Sequence, residues 1–79
     1  MTARRMTFRH IEAFRAVIAT GSMTEASRQL HTSQPQVSRL IAQLEAITGL
    51  PLFDRSGSRV VPSLDGTRFY AEEIGRAHV

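Results

Sequence analysis

Apolar residues recur along the first part of the chain at three- and four-residue steps. Phe8, Ile11, Phe14, Val17 and Ile18 mark one side of a helix that begins after Thr7, a plausible N-cap, and ends at Gly21, a C′ residue. Ser22-Met23-Thr24-Glu25 then has the form of a capping box, in which hydroxyl and carboxylate each satisfy a backbone N–H that the helix leaves unpaired. It predicts a short second helix with Met23, Ala26, Ser27 and Leu30 on one side, stopping around His31-Thr32. Another such box, Ser33-Gln34-Pro35-Gln36, opens a third helix over residues 34–48, with Pro35 in the first turn, where its missing N–H costs nothing. Val37, Leu40, Ile41, Leu44 and Ile47 form its core stripe, and Gly49 ends it.

The opposite face of this third helix reads Gln36, Arg39, Gln43, in line at three- and four-residue spacing and flanked by Gln34, Ser38 and Ala42. It is polar, carries one cation and holds no acid. Arg39 and Glu45 are six residues apart and therefore fall on different sides of the helix. Beyond the helix, Leu52-Phe53-Asp54-Arg55 and Arg59-Val60-Val61 are short β-type runs around Ser56-Gly57-Ser58, a pattern that predicts a small antiparallel hairpin with arginines at its shoulders. Ser63 or Asp65 can cap a last helix with Phe69, Tyr70, Glu73, Ile74 and Ala77 on one side. No stop signal follows it, so the helix is expected to continue past residue 79.

At 79 residues the chain is one small domain, able to bury only about 60–65% of the surface it exposes when unfolded. A composition of 42% hydrophobic and 22% charged residues is that of a globular chain, and Phe8, Phe14, Phe53 and Phe69 are expected in its thin core. The absence of cysteine excludes disulfides and a Cys-type zinc site, and His10, His31 and His78 are scattered without ligand spacing, so no metal or cofactor is expected in this domain. No apolar run is long enough to span a bilayer and the start MTARRMTFRH lacks a signal-peptide core, which points to a soluble cytoplasmic protein with no membrane partner. A Gly-rich phosphate loop, a Gly-x-Ser-x-Gly elbow, paired carboxylates in an apolar setting and a His base beside a nucleophile are all missing from the sequence, so enzyme chemistry is not expected.

Charge alone does not choose a partner. The net charge is +3, yet Arg4, Arg5, Arg9 and Arg15 crowd the first fifteen residues against one acid, Glu12. A solubilising surface explains that as well as nucleic acid does; geometry distinguishes them. Two short helices joined by a tight turn, the second opening on an acid-free face of donors, suit the DNA major groove, whose base edges are rich in acceptors. Gln34, Pro35, Gln36, Ser38, Arg39 and Gln43 are the candidate base contacts. Ser22, Thr24, Thr32 and Ser33, with the backbone N–H groups beside them, suit phosphate oxygens, while Arg55, Ser58 and Arg59 would approach the flanking backbone or minor groove. The rival from another class is a helical protein-interaction module that binds no DNA.

The run from Phe8 to Gly66, above all GSMTEASRQLHTSQPQVSRLIAQLEAITGLPLFDRS, resembles the N-terminal DNA-binding domain of LysR-type transcriptional regulators. The agreement is at several places at once: Gly21-Ser22, Thr24 and Ala26, Ser33-Gln34-Pro35 followed by Val37-Ser38-Arg39, Leu44-Glu45, and Leu52-Phe53-Asp54-Arg55. The resemblance implies a mainly α fold with a small β-hairpin, a winged helix-turn-helix over residues 6–64 followed over 65–79 by the start of a linker helix. It also implies a bacterial regulator that binds double-stranded DNA as a homodimer or a tetramer made of dimers, pairing through Phe69, Tyr70, Glu73, Ile74 and Ala77 of the linker. A small-molecule effector would bind a larger C-terminal domain that this chain does not contain. Gln34, Pro35, Ser38 and Arg39 match the family's groove positions, and Arg55 its wing arginine. Two departures are Ser63-Leu64-Asp65-Gly66, where many members have a Thr-Pro-x-Gly-like start, and Ser58 at a commonly basic wing position. HTSQP together with Arg9-His10-Ile11-Glu12 resembles the branch of lysine-biosynthesis and opine-catabolism regulators, which implies an amino-acid-like effector.

Overall fold

The computed structural model describes residues 5–54 and 59–74. Helices α1 (Phe8–Thr20), α2 (Met23–Gln29) and α3 (Gln34–Thr48) pack against one another. A two-stranded antiparallel hairpin follows, β1 (Phe53–Asp54) with β2 (Val61–Pro62), in the register Phe53 to Pro62 and Asp54 to Val61. Helix α4 (Leu64–Phe69) then runs into a π-helical segment, Tyr70–Ile74. The mainly helical architecture with one small hairpin is the one the residue pattern predicts.

The ends of the helices are set by local chemistry. Gly21 and Gly49 adopt the left-handed conformation, with φ of 69° and 73°, and their N–H groups close onto Val17 and Glu45 carbonyls. Ser22 accepts from the Glu25 N–H at 3.1 Å and Ser33 from the Gln36 N–H at 3.2 Å. Each expected box is made only by its hydroxyl half. The carboxylate of Glu25 pairs with Arg28 at 2.8 Å, and the carboxamide of Gln36 accepts from Arg39 at 3.2 Å. Between α2 and α3, His31 sits at φ 55°, the His31 N–H donates to Arg28 and the Thr32 N–H to Ser27, so the last carbonyls of α2 are satisfied without a glycine.

The core is built on Phe14, fully buried, with ring centroids 5.3 Å from Phe53, 5.2 Å from Phe69 and 6.3 Å from Tyr70. Val37, Leu40, Ile41 and Leu44 are buried from α3 and Ala26 from α2, while Ile47 is half-buried. One expected core residue is wrong. Phe8 is 73% exposed, because the buried stripe of α1 is His10, Ala13, Phe14 and Val17, rotated from the one that Phe8 and Ile11 suggested. The hairpin is tied down on both sides: Glu45 Oε2 accepts from the N–H groups of Leu52 at 2.9 Å and Phe53 at 3.3 Å, and Val60 N–H reaches the Gly21 carbonyl at 3.4 Å.

The face expected to pair two linkers needs a second correction. Phe69 and Ile74 are buried in the domain's own core and Tyr70 packs against it; Glu73 is exposed, and Ala77 lies outside the described residues. Phe14 of α1 takes up this side instead, its ring centroid 5.2 Å from that of Phe69 and 6.3 Å from that of Tyr70.

Candidate nucleic-acid interface

Helix α3 buries Val37, Leu40, Ile41 and Leu44, and that burial leaves Gln34, Pro35 and Arg39 exposed and Gln36 and Ser38 half-buried on its outer side. The first turn carries no acid. Glu45, the acid within the helix, turns toward the start of β1 and takes the Leu52 and Phe53 N–H groups. The polar face is therefore a surface of donors. Arg39 spends one N–H on Gln36 Oε1, a bond that holds the guanidinium near the first turn and leaves the Gln36 NH₂ group outward.

Around this face lie the residues expected to meet phosphate. Ser33 and Thr24 are exposed, and Ser22 and Thr32 are half-buried. The hydroxyls of Ser22 and Ser33 accept from their helices' N–H groups, as caps must, and each keeps its own hydrogen for an outside acceptor. Arg59 is exposed and lies against the turn between α1 and α2: a Cβ added at Gly21 would stand 3.1 Å from its Nη2. The expected wing contacts Arg55 and Ser58 lie outside the described residues. Arg5 ahead of α1, and Arg9 and Arg15 on it, are exposed.

Gln43 departs from the expected row of base contacts. It is half-buried, and its Oε1 lies 2.9 Å from Nε2 of His10, a buried residue of α1. The spacing of Gln36, Arg39 and Gln43 put all three on one face, but nothing in it shows that α1 reaches Gln43. The signal that could have found this link is the stripe His10, Ala13, Phe14, Val17, in which a histidine occupies a core position.

Residues 8–67 match the family described as "Bacterial regulatory helix-turn-helix protein, lysR family". The chain is 51% identical over 69 residues to the transcriptional activator protein LysR of Escherichia coli (strain K12), covering 87% of this chain and 22% of that protein. It is 43% identical over 74 residues to the octopine catabolism/uptake operon regulatory protein OccR of Rhizobium meliloti, covering 94% of this chain and 25% of that one. The chain thus spans about a quarter of the length of these curated relatives. Among solved structures it resembles the crystal structure of a BenM_DBD/benA site 1 DNA complex, with TM-score 0.85 and 34% identity over 92% of this chain and 82% of that one. No helix among the described residues is long and apolar enough to cross a membrane.

Proposed function

The chain belongs to the lysR family of bacterial regulatory helix-turn-helix proteins, and from that premise we propose that it is the sequence-reading domain of a transcriptional regulator. Helix α3 enters the major groove of double-stranded DNA with its first turns foremost. Gln34, Pro35, Gln36, Ser38 and Arg39 meet base edges there. The N–H groups at the starts of α2 and α3, with Ser22, Thr24, Thr32 and Ser33, hold phosphates and set the register. Arg59, together with Arg55 and Ser58, covers the flanking backbone. The observation that carries this reading is the exposed, acid-free donor face on the second of two helices joined by a tight turn.

In the longer protein the linker helix would pair two such domains into a homodimer, or dimers into a tetramer, and a C-terminal domain would sense a small effector of amino-acid-like chemistry. Such a regulator works in the cytoplasm and catalyses nothing. With Phe69 and Ile74 given to the core, pairing would fall to the exposed side of the linker, which includes Glu73, and to Ala77 beyond it.

The test is duplex binding by the unmodified chain and by Arg39→Ala. For three phosphates neutralised, affinity for any duplex should fall about 40-fold between about 50 and 200 mM salt. On a sequence selected from a random pool, Arg39→Ala should cost about 1–3 kcal/mol and relax preference at one base pair, with a smaller loss on random duplex. Equal losses on both would refute base reading by Arg39. Negligible binding of the unmodified chain at either salt would favour the protein-interaction module instead.

A further inference from the structure

The bond between His10 and Gln43 decides which way a carboxamide on α3 presents itself. Imidazole Nδ1 of His10 lies 3.0 Å from the backbone N of Thr7 and 3.0 Å from its Oγ1. A backbone N–H can only donate, so Nδ1 accepts and carries no proton. The ring's hydrogen is then on Nε2, which donates to Gln43 Oε1 at 2.9 Å. With its oxygen so engaged, Gln43 can present only its NH₂ group to the outside, and among the described residues that nitrogen donates to no protein group. His10 is only 4% exposed, so the ring that imposes this orientation is enclosed by the fold and tied to Thr7.

We propose that His10 is a positioning residue for DNA binding: through Gln43 it aims two N–H donors at a phosphate of the backbone. The inference rests on the groove-reading role of α3 given above. Gln43 stands seven residues, two helical turns or about 10 Å, behind Gln36. A helix that enters a groove about 8.5 Å deep with its N-terminus first leaves such a residue at the rim, level with the sugar-phosphate strand. Phosphate oxygens are acceptors only, which matches a group locked as a donor. A freely rotating carboxamide could offer either edge, and holding it still removes part of the ordering cost of the contact. This assigns Gln43 to the backbone and leaves the bases to the first two turns of α3.

A double-mutant cycle tests it, using His10→Phe, which keeps bulk without a hydrogen bond, Gln43→Met, and the two together. Each single change should weaken binding about three- to tenfold, alike on selected and random duplex. In the Gln43→Met background the effect of His10→Phe should shrink to below about twofold, since the contact it supports is already gone. An undiminished effect there, or no effect of His10→Phe in the first place, would overturn the proposal. Long-range proton–nitrogen NMR on the unmodified chain is independent of whether the variants fold: it should show the His10 proton on Nε2, and a proton on Nδ1 would contradict the assignment. If the unmodified chain binds no duplex, the groove-reading role itself fails; if it binds and His10→Phe is silent, only the positioning role does.

Discussion

Phe14→Ala is expected to be among the most destabilising single changes in the chain, removing about 3–5 kcal/mol of its stability. The ring is fully buried and, from α1, meets the hairpin through Phe53, α4 through Phe69 and the π-helical segment through Tyr70. Removing a buried phenyl group costs about 3–5 kcal/mol, as lost transfer energy plus the cavity left where three rings met. A domain of this length has a total stability of about 4–12 kcal/mol. At about 4 °C or more per kcal/mol, the thermal midpoint should drop by at least about 12 °C. Phe14→Leu refills most of the space and should lose less than half as much. Thermal unfolding followed by circular dichroism measures both, and a change of under about 1 kcal/mol for Phe14→Ala would mean that the hairpin and last helix are not held by this ring.

Gly66→Ala should be the other severe change, and for the opposite reason. Gly66 is buried in α4, its N–H bonded to Ser63 Oγ at 3.0 Å, and a Cβ built there would overlap the Leu52 carbonyl oxygen, with the carbonyl carbon at 3.0 Å and Cα at 3.4 Å. The obstacle is backbone, and that carbonyl already accepts from the Ser63 N–H at 2.9 Å, so it cannot turn aside without losing the bond. Overpacking of this kind costs about 3 kcal/mol. Alanine's better helix propensity returns about 1 kcal/mol. The net loss, about 2 kcal/mol, should lower the midpoint by roughly 8–16 °C. An unchanged or raised midpoint would show that α4 does not lie this close to Leu52 in solution. Gly49→Ala is the control for crowding, since no atom lies within 4 Å of a Cβ there and its cost comes from the positive φ alone.

How far these features could be read in advance depends on their range. The caps at Ser22 and Ser33 and the left-handed stops at Gly21 and Gly49 act within a few residues, and residue type alone marks them, whereas it leaves Ser63 and Asp65 open as the cap of α4 and the fold takes Ser63. The burial of Val37, Leu40, Ile41 and Leu44 and the outward face of Gln34 and Arg39 follow from a 3.6-residue period. The misses all rest on contacts between distant parts. Hydropathy ranks phenylalanine above histidine and so set the stripe of α1 on Phe8, whereas His10 is buried because Thr7 and Gln43 satisfy both its nitrogens. Phe69 and Ile74 read as a face for a second linker until the core around Phe14 is seen to take them in. Gly66 reads only as the glycine shared with the family's linker start until Leu52 is seen beside it. Glu45 likewise looks like a surface acid on α3 until β1 supplies two N–H groups.

The most direct test of the account is to titrate the isotope-labelled chain with duplex DNA selected from a random pool and follow every backbone and side-chain amide by NMR. The largest shifts should fall on residues 33–39 and on the Gln43 side-chain NH₂, with smaller ones at Ser22 and Thr24 and little change along the exposed side of α4. Shifts confined to α4 and the segment after it, with residues 33–39 unmoved, would contradict the placement of α3 in the groove.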